Sequence, residues 1–313
     1  MKVTLYTLIA LIAFAANSLF CRMALAEGYI DAWSFTIVRL LSAAVCLSMI
    51  MAAQSYYLRH RKLRLSHSFN EEILSERGNW LSSISLVIYA LCFSIAYVEL
   101  ETGTGALILF SAVQLTMIGW GIYKKETLSH LQWIAFVIAI TGFVYLMLPS
   151  ASMPSLLAAM LMAISGVAWG IYSIRGKICL SPLRATGFNF IRSLLAIPIL
   201  LVAGFIYQNI MDVQLIHIDS ITMEGIWLAC ASGAIASGIG YSIWYMAMPL
   251  LKNTQAAVIQ LCVPVLAALL GVVILSEPIT LTFMIASTVI LSAVLVFILN
   301  KQQLHVNSSK NDT

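Results

Sequence analysis

Two arginines occupy positions where a charge is costly and therefore informative. Arg39 and Arg192 each lie inside a long apolar segment. Ionisable side chains are rare in hydrocarbon, and one that is present there is by default a candidate for function. A guanidinium at such a place could attract an anionic or zwitterionic group of a substrate. It could equally bond to backbone carbonyls or extend toward the membrane interface, and the sequence leaves both alternatives open.

Three glutamates stand at the ends of apolar segments and are candidates for helix turns or for coupling. Glu126 and Glu277 each begin the turn between two such segments. A carboxylate near the N-terminus of the following helix is favoured by the helix dipole, so capping is the first interpretation and proton carriage the alternative. Glu99 could reach into the membrane and titrate as a coupling group, or it could be a solvated carboxylate in a short loop.

Amides, hydroxyls and aromatic rings within the apolar segments are the candidates for a binding pocket. A cavity lined with rings and a few amides suits amphipathic small molecules. A buried amide needs a partner, so these groups are expected to face the bundle interior, where interhelical hydrogen bonding without substrate contact is the alternative. With Arg39 and Arg192, the candidates are Asn17, Ser18, Tyr89, Ser111, Gln114, Trp120, Trp169, Tyr172, Asn189, Tyr241, Trp244 and Gln260.

Prolines within apolar segments are candidates for hinges. Pro264 and Pro198 each remove a backbone hydrogen bond from a helix and can kink it. Because Pro264 lies in the second half beside the pocket candidates, we predict that it forms a gating kink.

Residues for catalysis, metals or cofactors are not evident. The five histidines lie in loops, at segment ends or in the tail, and the six cysteines form no CxxC pair. No P-loop is present, and no basic, aromatic-rich surface of the nucleic-acid-binding type is apparent. We therefore predict no catalytic residues, no metal, no cofactor and no nucleic-acid partner, and we do not expect an enzyme.

The elements that must position these side chains are membrane-spanning helices. Of the 313 residues, 61% are hydrophobic and 10% are charged, whereas a soluble domain is about a quarter charged. A span requires about 20 predominantly apolar residues. Ten segments meet this requirement, at approximately 3–24, 32–53, 80–99, 103–123, 129–148, 154–174, 185–207, 222–245, 253–275 and 279–299.

The basic residues predict the orientation. Lysine and arginine favour the cytoplasmic side of a membrane. If both termini are cytoplasmic, 14 of the 17 basic residues fall on that side, and the other three, Arg22, Arg39 and Arg192, lie within or at the end of apolar segments. The reversed orientation would put every basic loop outside. The pattern therefore predicts an even number of spans.

The two halves of the chain repeat the same pattern. Arg39 and Arg192 lie 153 residues apart, and Glu126 and Glu277 lie 151 apart. Each half holds five spans, an odd number, so the second copy must enter the membrane from the opposite side. Such inverted repeats are common in secondary transporters.

The predicted fold is therefore an all-α membrane protein with ten transmembrane helices in two inverted five-helix repeats. The first repeat covers residues 1–150 and the second covers residues 151–300. A cytoplasmic tail, residues 301–313, follows the last span. The site is expected between the halves, near the midplane.

A stretch of the second half carries the most specific motifs. An aromatic-rich helix end at Tyr241 precedes the sequence NTQAA at 253–257, then a proline-containing apolar segment with Pro264, and then Ser276-Glu277-Pro278. This order resembles the EamA family of the drug/metabolite transporter superfamily, and the resemblance covers residues 3–299.

The resemblance implies a secondary transporter that exports small metabolites, such as amino acids or amphipathic drug-like compounds, by alternating access. A passive channel or a lipid-linked carrier is the alternative. The expected partners are a small-molecule substrate and the lipid bilayer, with the protein as a monomer or homodimer. The expected location is a bacterial cytoplasmic (inner) membrane, as a multi-pass integral protein with both termini cytoplasmic.

Overall fold

The computed structural model describes residues 2–60, 75–123, 129–147, 155–176, 179–211, 221–250, 260 and 262–311. Within these ranges the chain forms helices and short turns, without β-strands. The first six helices are α1 (Lys2–Ala26), α2 (Ala32–His60), α3 (Trp80–Ala96), α4 (Thr102–Tyr123), α5 (His130–Met147) and α6 (Leu156–Gly176). The others are α7 (Pro182–Ser193), α8 (Ala196–Met211), α9 (Met223–Cys230), α10 (Gly240–Ala247), α11 (Cys262–Leu275) and α12 (Leu281–Asn311).

Six helical stretches of the described chain are long and apolar enough to cross a membrane. They are Thr4–Ala26, Ala32–Tyr57, Thr102–Tyr123, Leu156–Gly176, Pro182–Val202 and Met223–Ala247. Four shorter apolar helical stretches are Trp80–Ala96, His130–Gly142, Cys262–Leu275 and Leu281–Phe297. The chain is thus an all-α, multi-pass integral membrane protein, and each of the ten predicted segments overlaps one of these stretches.

The seventh predicted segment is interrupted by a turn between α7 and α8. Pro198 lies in the first turn of α8 and has no N–H, so it cannot donate to the carbonyl of Leu194. That carbonyl accepts instead from the Ile197 N–H at 3.0 Å, in a tighter turn. The proline therefore breaks the helix, as its position predicts.

A π-helical segment joins α9 to α10. It covers nine residues, Ala231–Ile239, and consists mostly of alanine, glycine and serine. π-Helix is rare, and it is found frequently at functional sites. Small side chains let the neighbouring helices approach closely here; a Cβ on Gly240, the first residue of α10, would lie 2.7 Å from the Cβ of Ala13.

The packing brings elements from both halves of the chain together. Helix α2 packs against the π segment and α7, while α1 packs against α11, α10 and the π segment. Helix α6 contacts both α3 and α4, and α4 also contacts α11. Helices α5 and α12, the last of each half, pack mainly on each other. The interior is therefore formed by α1 to α4 together with α6, α7, the π segment, α10 and α11.

Candidate functional site

A buried arginine lies where the two halves meet. Arg39 of α2 is 1% exposed. Its Nη2 donates to the hydroxyls of Tyr89 on α3 and Tyr241 on α10, at 3.1 and 3.0 Å, and its Nε donates to Ser237 Oγ of the π segment at 3.2 Å. The two tyrosine hydroxyls are 2.8 Å apart. Side chains from three other elements therefore converge on this side of one guanidinium.

Asn17 of α1 belongs to the same network. Its Nδ2 donates to the Tyr89 hydroxyl at 3.1 Å, and its Oδ1 accepts from Ser232 Oγ at 2.7 Å and from Ser237 Oγ at 3.4 Å. The two serines are five residues apart. This is the spacing of a π-type hydrogen bond, whereas five residues of α-helix would turn their side chains well away from each other. The π segment is what lets both serines reach one amide oxygen.

A small cavity borders this network. Its apolar wall is formed by Phe14, Phe93, Leu109, Phe110 and Trp169, and its polar wall by Asn17, Ser18, Tyr89 and Tyr241. Arg39 lies directly behind the wall, with its guanidinium carbon 5.0 Å from the ring centre of Tyr89 and 4.9 Å from that of Phe93. The cavity thus combines aromatic rings with a polar face that is backed by a positive charge.

A column of aromatic rings extends from the cavity wall. Trp169 lies 4.4 Å from Tyr241 and is stacked on Tyr172 at 5.4 Å, and Tyr172 is stacked on Tyr245 at 5.4 Å between ring centres. The Tyr245 hydroxyl donates to the backbone carbonyl of Tyr172 at 3.0 Å. Because Tyr172 and Tyr245 lie toward the end of α6 and α10, rings fill the space between these helix ends.

Several buried hydrogen-bond donors, at Arg39 and among the aromatic residues, have no acceptor within the described part of the chain. Arg39 Nη1, Trp169 Nε1, Trp244 Nε1 and the Tyr172 hydroxyl are buried and have no hydrogen-bond partner among the described residues. Within the same part of the chain no carboxylate pairs with Arg39, whose bonds all go to neutral hydroxyls. An uncompensated buried charge costs several kcal/mol. The site therefore holds a positive charge with free donor capacity.

Replacing Asn17 by aspartate should raise the thermal unfolding temperature in detergent by about 2 °C or more. Aspartate has the same shape, can still accept from both serines, and adds a negative charge to the network of Arg39, offsetting its desolvation. The Tyr89 hydroxyl can turn to donate to it. Asn17→Leu is the control and should lower this temperature. A fall for aspartate as large as that for leucine would contradict the prediction.

Other predicted pocket residues lie in the interior without joining this network. Trp244 is fully buried and packs against Phe14, with 5.6 Å between ring centres. The remaining buried candidates are Ser111, Gln114, Gln260 and Pro264. Pro264 stands in the first turn of α11 as described, so its removed hydrogen bond falls at the start of this helix, and a gating role stays a prediction.

Asn189 and Arg192 are buried or half-buried on α7 but bind the start of α3 instead of the cavity. Asn189 Oδ1 accepts from the backbone N–H of Asn79 at 3.0 Å. Arg192 Nη1 donates to the backbone carbonyl of Arg77 at 2.6 Å, and its guanidinium carbon lies 5.4 Å from the ring centre of Trp80. The structure thus separates the two repeated arginines, placing Arg39 at the centre and Arg192 at a helix end on the predicted cytoplasmic side.

Trp120 also lies outside the network of Arg39 and the cavity. Its side chain is 45% exposed on α4 and is stacked on Tyr123, with 5.5 Å between ring centres. An aromatic residue near the end of an apolar helix suits the belt at a membrane interface.

Glu277 links the two halves at the predicted outer side. Its carboxylate accepts from the backbone N–H of Thr102 at 2.8 Å and from the hydroxyl of Thr102 at 3.1 Å, at the start of α4. Arg22 Nε pairs with it at 3.3 Å, and Arg22 Nη1 donates to the carbonyls of Tyr97 and Val98 at 3.1 and 2.8 Å. The carboxylate therefore caps a helix, although it is α4 of the other half and not the helix that follows Glu277.

The backbone around Glu277 explains its position. Ser276 has a φ of 55°, and the N–H of Glu277 bonds to the carbonyl of Gly271 at 3.2 Å, which closes the end of α11. A Cβ on Gly271 would collide with the Glu277 carboxylate. The left-handed turn and the glycine together bring the carboxylate to Thr102.

Of the other two predicted glutamates, Glu99 lies at the surface and Glu126 lies outside the described residues. Glu99 is exposed and accepts a hydrogen bond from Ser155 Oγ, just before α6. Ser155 also accepts from the N–H of Ala158 at 3.3 Å, so Glu99 helps to hold the start of that helix.

Glu101 and Glu277 line the same small cavity. Burial raises the pKa of its carboxyl, the charge of Glu277 raises it further, and Arg22 opposes the rise. The folded protein therefore holds this proton to a higher pH than the unfolded chain, so this carboxyl makes stability fall as pH rises above the unfolded value.

We expect Glu101→Gln to unfold at a higher temperature than the wild type at pH 7. The substitution removes the negative charge of Glu101, which burial and the neighbouring charge of Glu277 disfavour in the folded protein. At about pH 4, where the carboxyl is mostly protonated in both states, the two unfolding temperatures should approach each other. Thermal scans of both proteins in detergent across this range measure the gap. An equal gap at both pH values would show that the charge of Glu101 is not responsible.

Sequence reasoning did not select Arg22, Ser232 or Ser237 as site residues. Arg22 could be identified from the sequence as a basic residue at the end of the first predicted span. It lies 153 residues before Arg175, the same separation as between Arg39 and Arg192. The two serines gave no comparable signal, because their convergence on Asn17 depends on the π segment.

Comparisons with known proteins agree with this architecture. Residues 156–299 match the model of the EamA-like transporter family. An uncharacterized protein of Pseudomonas aeruginosa is 42% identical over 277 residues, covering 88% of each chain. An uncharacterized transporter of Archaeoglobus fulgidus is 25% identical over 239 residues, covering 72% of this chain and 81% of its own.

More distant similarity extends the same pattern. The uncharacterized transporter YoaV of Bacillus subtilis is 18% identical over 259 residues, covering 82% of this chain and 83% of its own. A solved crystal structure superposes with a TM-score of 0.56 at 17% identity, over 95% of this chain and 98% of that one, and so shares the fold. The family match and the 42% identical relative carry the conclusion: the chain belongs to the EamA-like transporter family.

Proposed function

We propose that this protein is a secondary carrier that exports small metabolites, such as amino acids or amphipathic drug-like compounds, by alternating access. It has ten spans in two inverted repeats, residues 1–150 and 151–300, with the tail at 301–313 and both termini in the cytoplasm. The single observation that carries the proposal is the contact of the Tyr89 and Tyr241 hydroxyls, 2.8 Å apart at the wall of a buried cavity. These two residues come from the third span of each repeat.

The proposed site is shared by the halves, as alternating access requires. Asn17, Arg39 and Tyr89 come from the first repeat, while Trp169 and Tyr241 come from the second. If the repeats reorient against each other around this site, the cavity opens to one side and then to the other. The rings of its wall approach one another closely, with 4.4 Å between the ring centres of Trp169 and Tyr241, which fits a closed conformation.

The contact of Glu277 with Thr102 and Arg22 is the proposed outer closure. It joins the α11–α12 link of the second repeat to α1 and α4 of the first. Opening the site outward would separate these partners. Glu277 would thus stabilise one conformation of the carrier through its capping contact.

Counterflow in proteoliposomes tests the proposal. Vesicles with purified protein are preloaded with an unlabelled compound, and uptake of the labelled compound is followed for phenylalanine, leucine and 3-phenylpropionate. A carrier gives saturable uptake that preloading accelerates, and Trp169→Ala should lower it by at least about tenfold, the factor for 1.4 kcal/mol of lost binding. Trp227, which is 68% exposed, gives a matched control in Trp227→Ala.

Two outcomes would overturn the proposal. Flux that rises linearly with concentration and ignores preloading indicates a channel. Transfer of labelled phospholipid between leaflets, without movement of any water-soluble compound, indicates a lipid-linked carrier. Direction is measured separately, by comparing the compounds in the medium of cells with and without the overproduced protein.

A further inference from the structure

We propose that the transported molecule carries an anionic group, a carboxylate on a small apolar or aromatic body, which binds at the face formed by Tyr89 and Tyr241 and neutralises Arg39. This inference rests on the carrier function proposed above and names its substrate class. The observation behind it is a buried guanidinium that lies behind the tyrosine wall of the cavity and whose described bonds all go to neutral hydroxyls.

The hydrogen-bond inventory of the network leaves two N–H donors of Arg39 without an acceptor among the described residues. Arg39 donates its two Nη2 protons to the two tyrosine oxygens and its Nε proton to Ser237 Oγ. Ser237 and Ser232 both donate to Asn17. Nothing among the described residues accepts from the Nη1 protons. A guanidinium has five N–H donors and no acceptor, so two of the five are left.

The tyrosine pair adds one more free donor. Tyr89 and Tyr241 share one hydrogen bond, and each hydroxyl also accepts from Arg39 Nη2. Each hydroxyl has a single proton, and the mutual bond uses one of the two. The other remains for a ligand. A hydroxyl that accepts from a guanidinium is polarised into a stronger donor, so the positive charge of Arg39 acts at the cavity wall.

The charge environment excludes an internal counter-ion in the described chain. Each described bond of Arg39 goes to a serine or a tyrosine, and the ion pair recorded in the described residues, Arg22 with Glu277, lies at the outer end. Charge-assisted hydrogen bonds are about twice as strong as neutral ones. A ligand carboxylate therefore gains more binding free energy at this site than a neutral amide of the same shape.

The rest of the cavity fits a small apolar body. Phe14, Phe93, Phe110 and Trp169 line the cavity with rings, so the part of a ligand beyond its anionic group would contact apolar surface. A basic ligand would bring a second positive charge close to Arg39, and the repulsion between the two like charges would weaken its binding. The chemistry of the wall therefore selects small monocarboxylates over amines and over neutral analogues.

Matched acid and amide pairs test the inference on the purified full chain. The probes are 3-phenylpropionate with 3-phenylpropanamide, and hexanoate with hexanamide, titrated into protein in nanodiscs while tryptophan fluorescence is recorded. Each pair has nearly the same shape and differs in charge. We expect the acids to bind at least about tenfold more tightly than the amides, the factor for one charge-assisted hydrogen bond.

Two arginine variants assign the preference to its residue. Arg39→Gln should remove the acid preference. Arg192→Gln is the matched control, because Arg192 is the repeat counterpart of Arg39 and lies outside the cavity on a backbone carbonyl, and it should retain the preference. If Arg39→Gln fails to fold, Asn17→Asp replaces it, since an internal carboxylate should compete with the ligand and remove the same preference.

The outcomes separate this inference from the carrier proposal. Equal affinity for acids and amides in the wild type, or an acid preference that survives in Arg39→Gln or Asn17→Asp, overturns the anion site. Counterflow of the amides without acid preference also overturns it and leaves the carrier intact. Tight, Arg39-dependent acid binding with no counterflow of either acid supports the anion site and overturns the carrier.

Discussion

Replacing Gly233 by alanine should lower the free energy of unfolding by about 3 kcal/mol. A Cβ at this position of the π segment would collide with the backbone carbonyl oxygen of Arg39 and with Ser42 Oγ on α2. A backbone atom cannot turn aside as a side chain can, so α2 and the π segment must separate. Because Ser237 on the same segment holds Arg39 Nε, the separation also disturbs the central network.

The control for this substitution is Gly119→Ala on α4. A Cβ on Gly119 would meet nothing within 4 Å, and alanine is the better helix former by about 1 kcal/mol. Unfolding in mixed micelles should therefore show a stabilised or unchanged Gly119→Ala beside a strongly destabilised Gly233→Ala. Equal effects of the two substitutions would mean that the close approach of α2 to the π segment does not limit stability.

Removing the carboxylate of Glu277 should cost about 3 kcal/mol of stability. Glu277→Ala leaves the partly buried Arg22 without its ion-pair partner and leaves the N–H of Thr102 uncapped. Loss of a helix cap alone costs about 1 kcal/mol. The side chains of the pair are only 18% and 11% exposed, so water screens the loss weakly.

A double-mutant cycle and a surface control measure the contribution of Glu277. Arg22→Gln and Glu277→Gln are made singly and together, and their coupling energy should be at least about 1 kcal/mol, as for contacting residues. Glu99→Ala is the control, since this exposed carboxylate at the same end should contribute less than about 1 kcal/mol. Coupling near zero would mean that Arg22 is held by its carbonyl bonds alone.

The helices and the centre of the site were predictable from local chemistry. Apolar length located the helical segments, and Pro198 marked the break between α7 and α8. The cost of charge in hydrocarbon singled out Arg39, and the polar hydroxyls of Tyr89 and Tyr241 within apolar segments marked them as pocket candidates. Each of these signals depends on the residue itself or on its near neighbours in the chain.

The partners of these residues were not predictable from local chemistry. Arg39 and Arg192 have equivalent sequence positions, yet one lies at the centre and the other on the carbonyl of Arg77. Glu277 caps α4, which is 175 residues away in the chain. These partners depend on which helices pack together and on a π segment that the sequence analysis did not predict.

Because no carboxylate in the described part of the chain pairs with Arg39, a carrier that cycles around this site would respond to voltage. The empty site carries one positive charge, and a bound anion cancels it. Voltage therefore acts on the empty protein and leaves the loaded protein almost unaffected. A membrane potential of 100 mV is worth about 2.3 kcal/mol for one charge moved fully across. With a negative cytoplasm, the potential draws the unloaded site back inward after each release outside, so the resting potential alone would drive anions out of the cell.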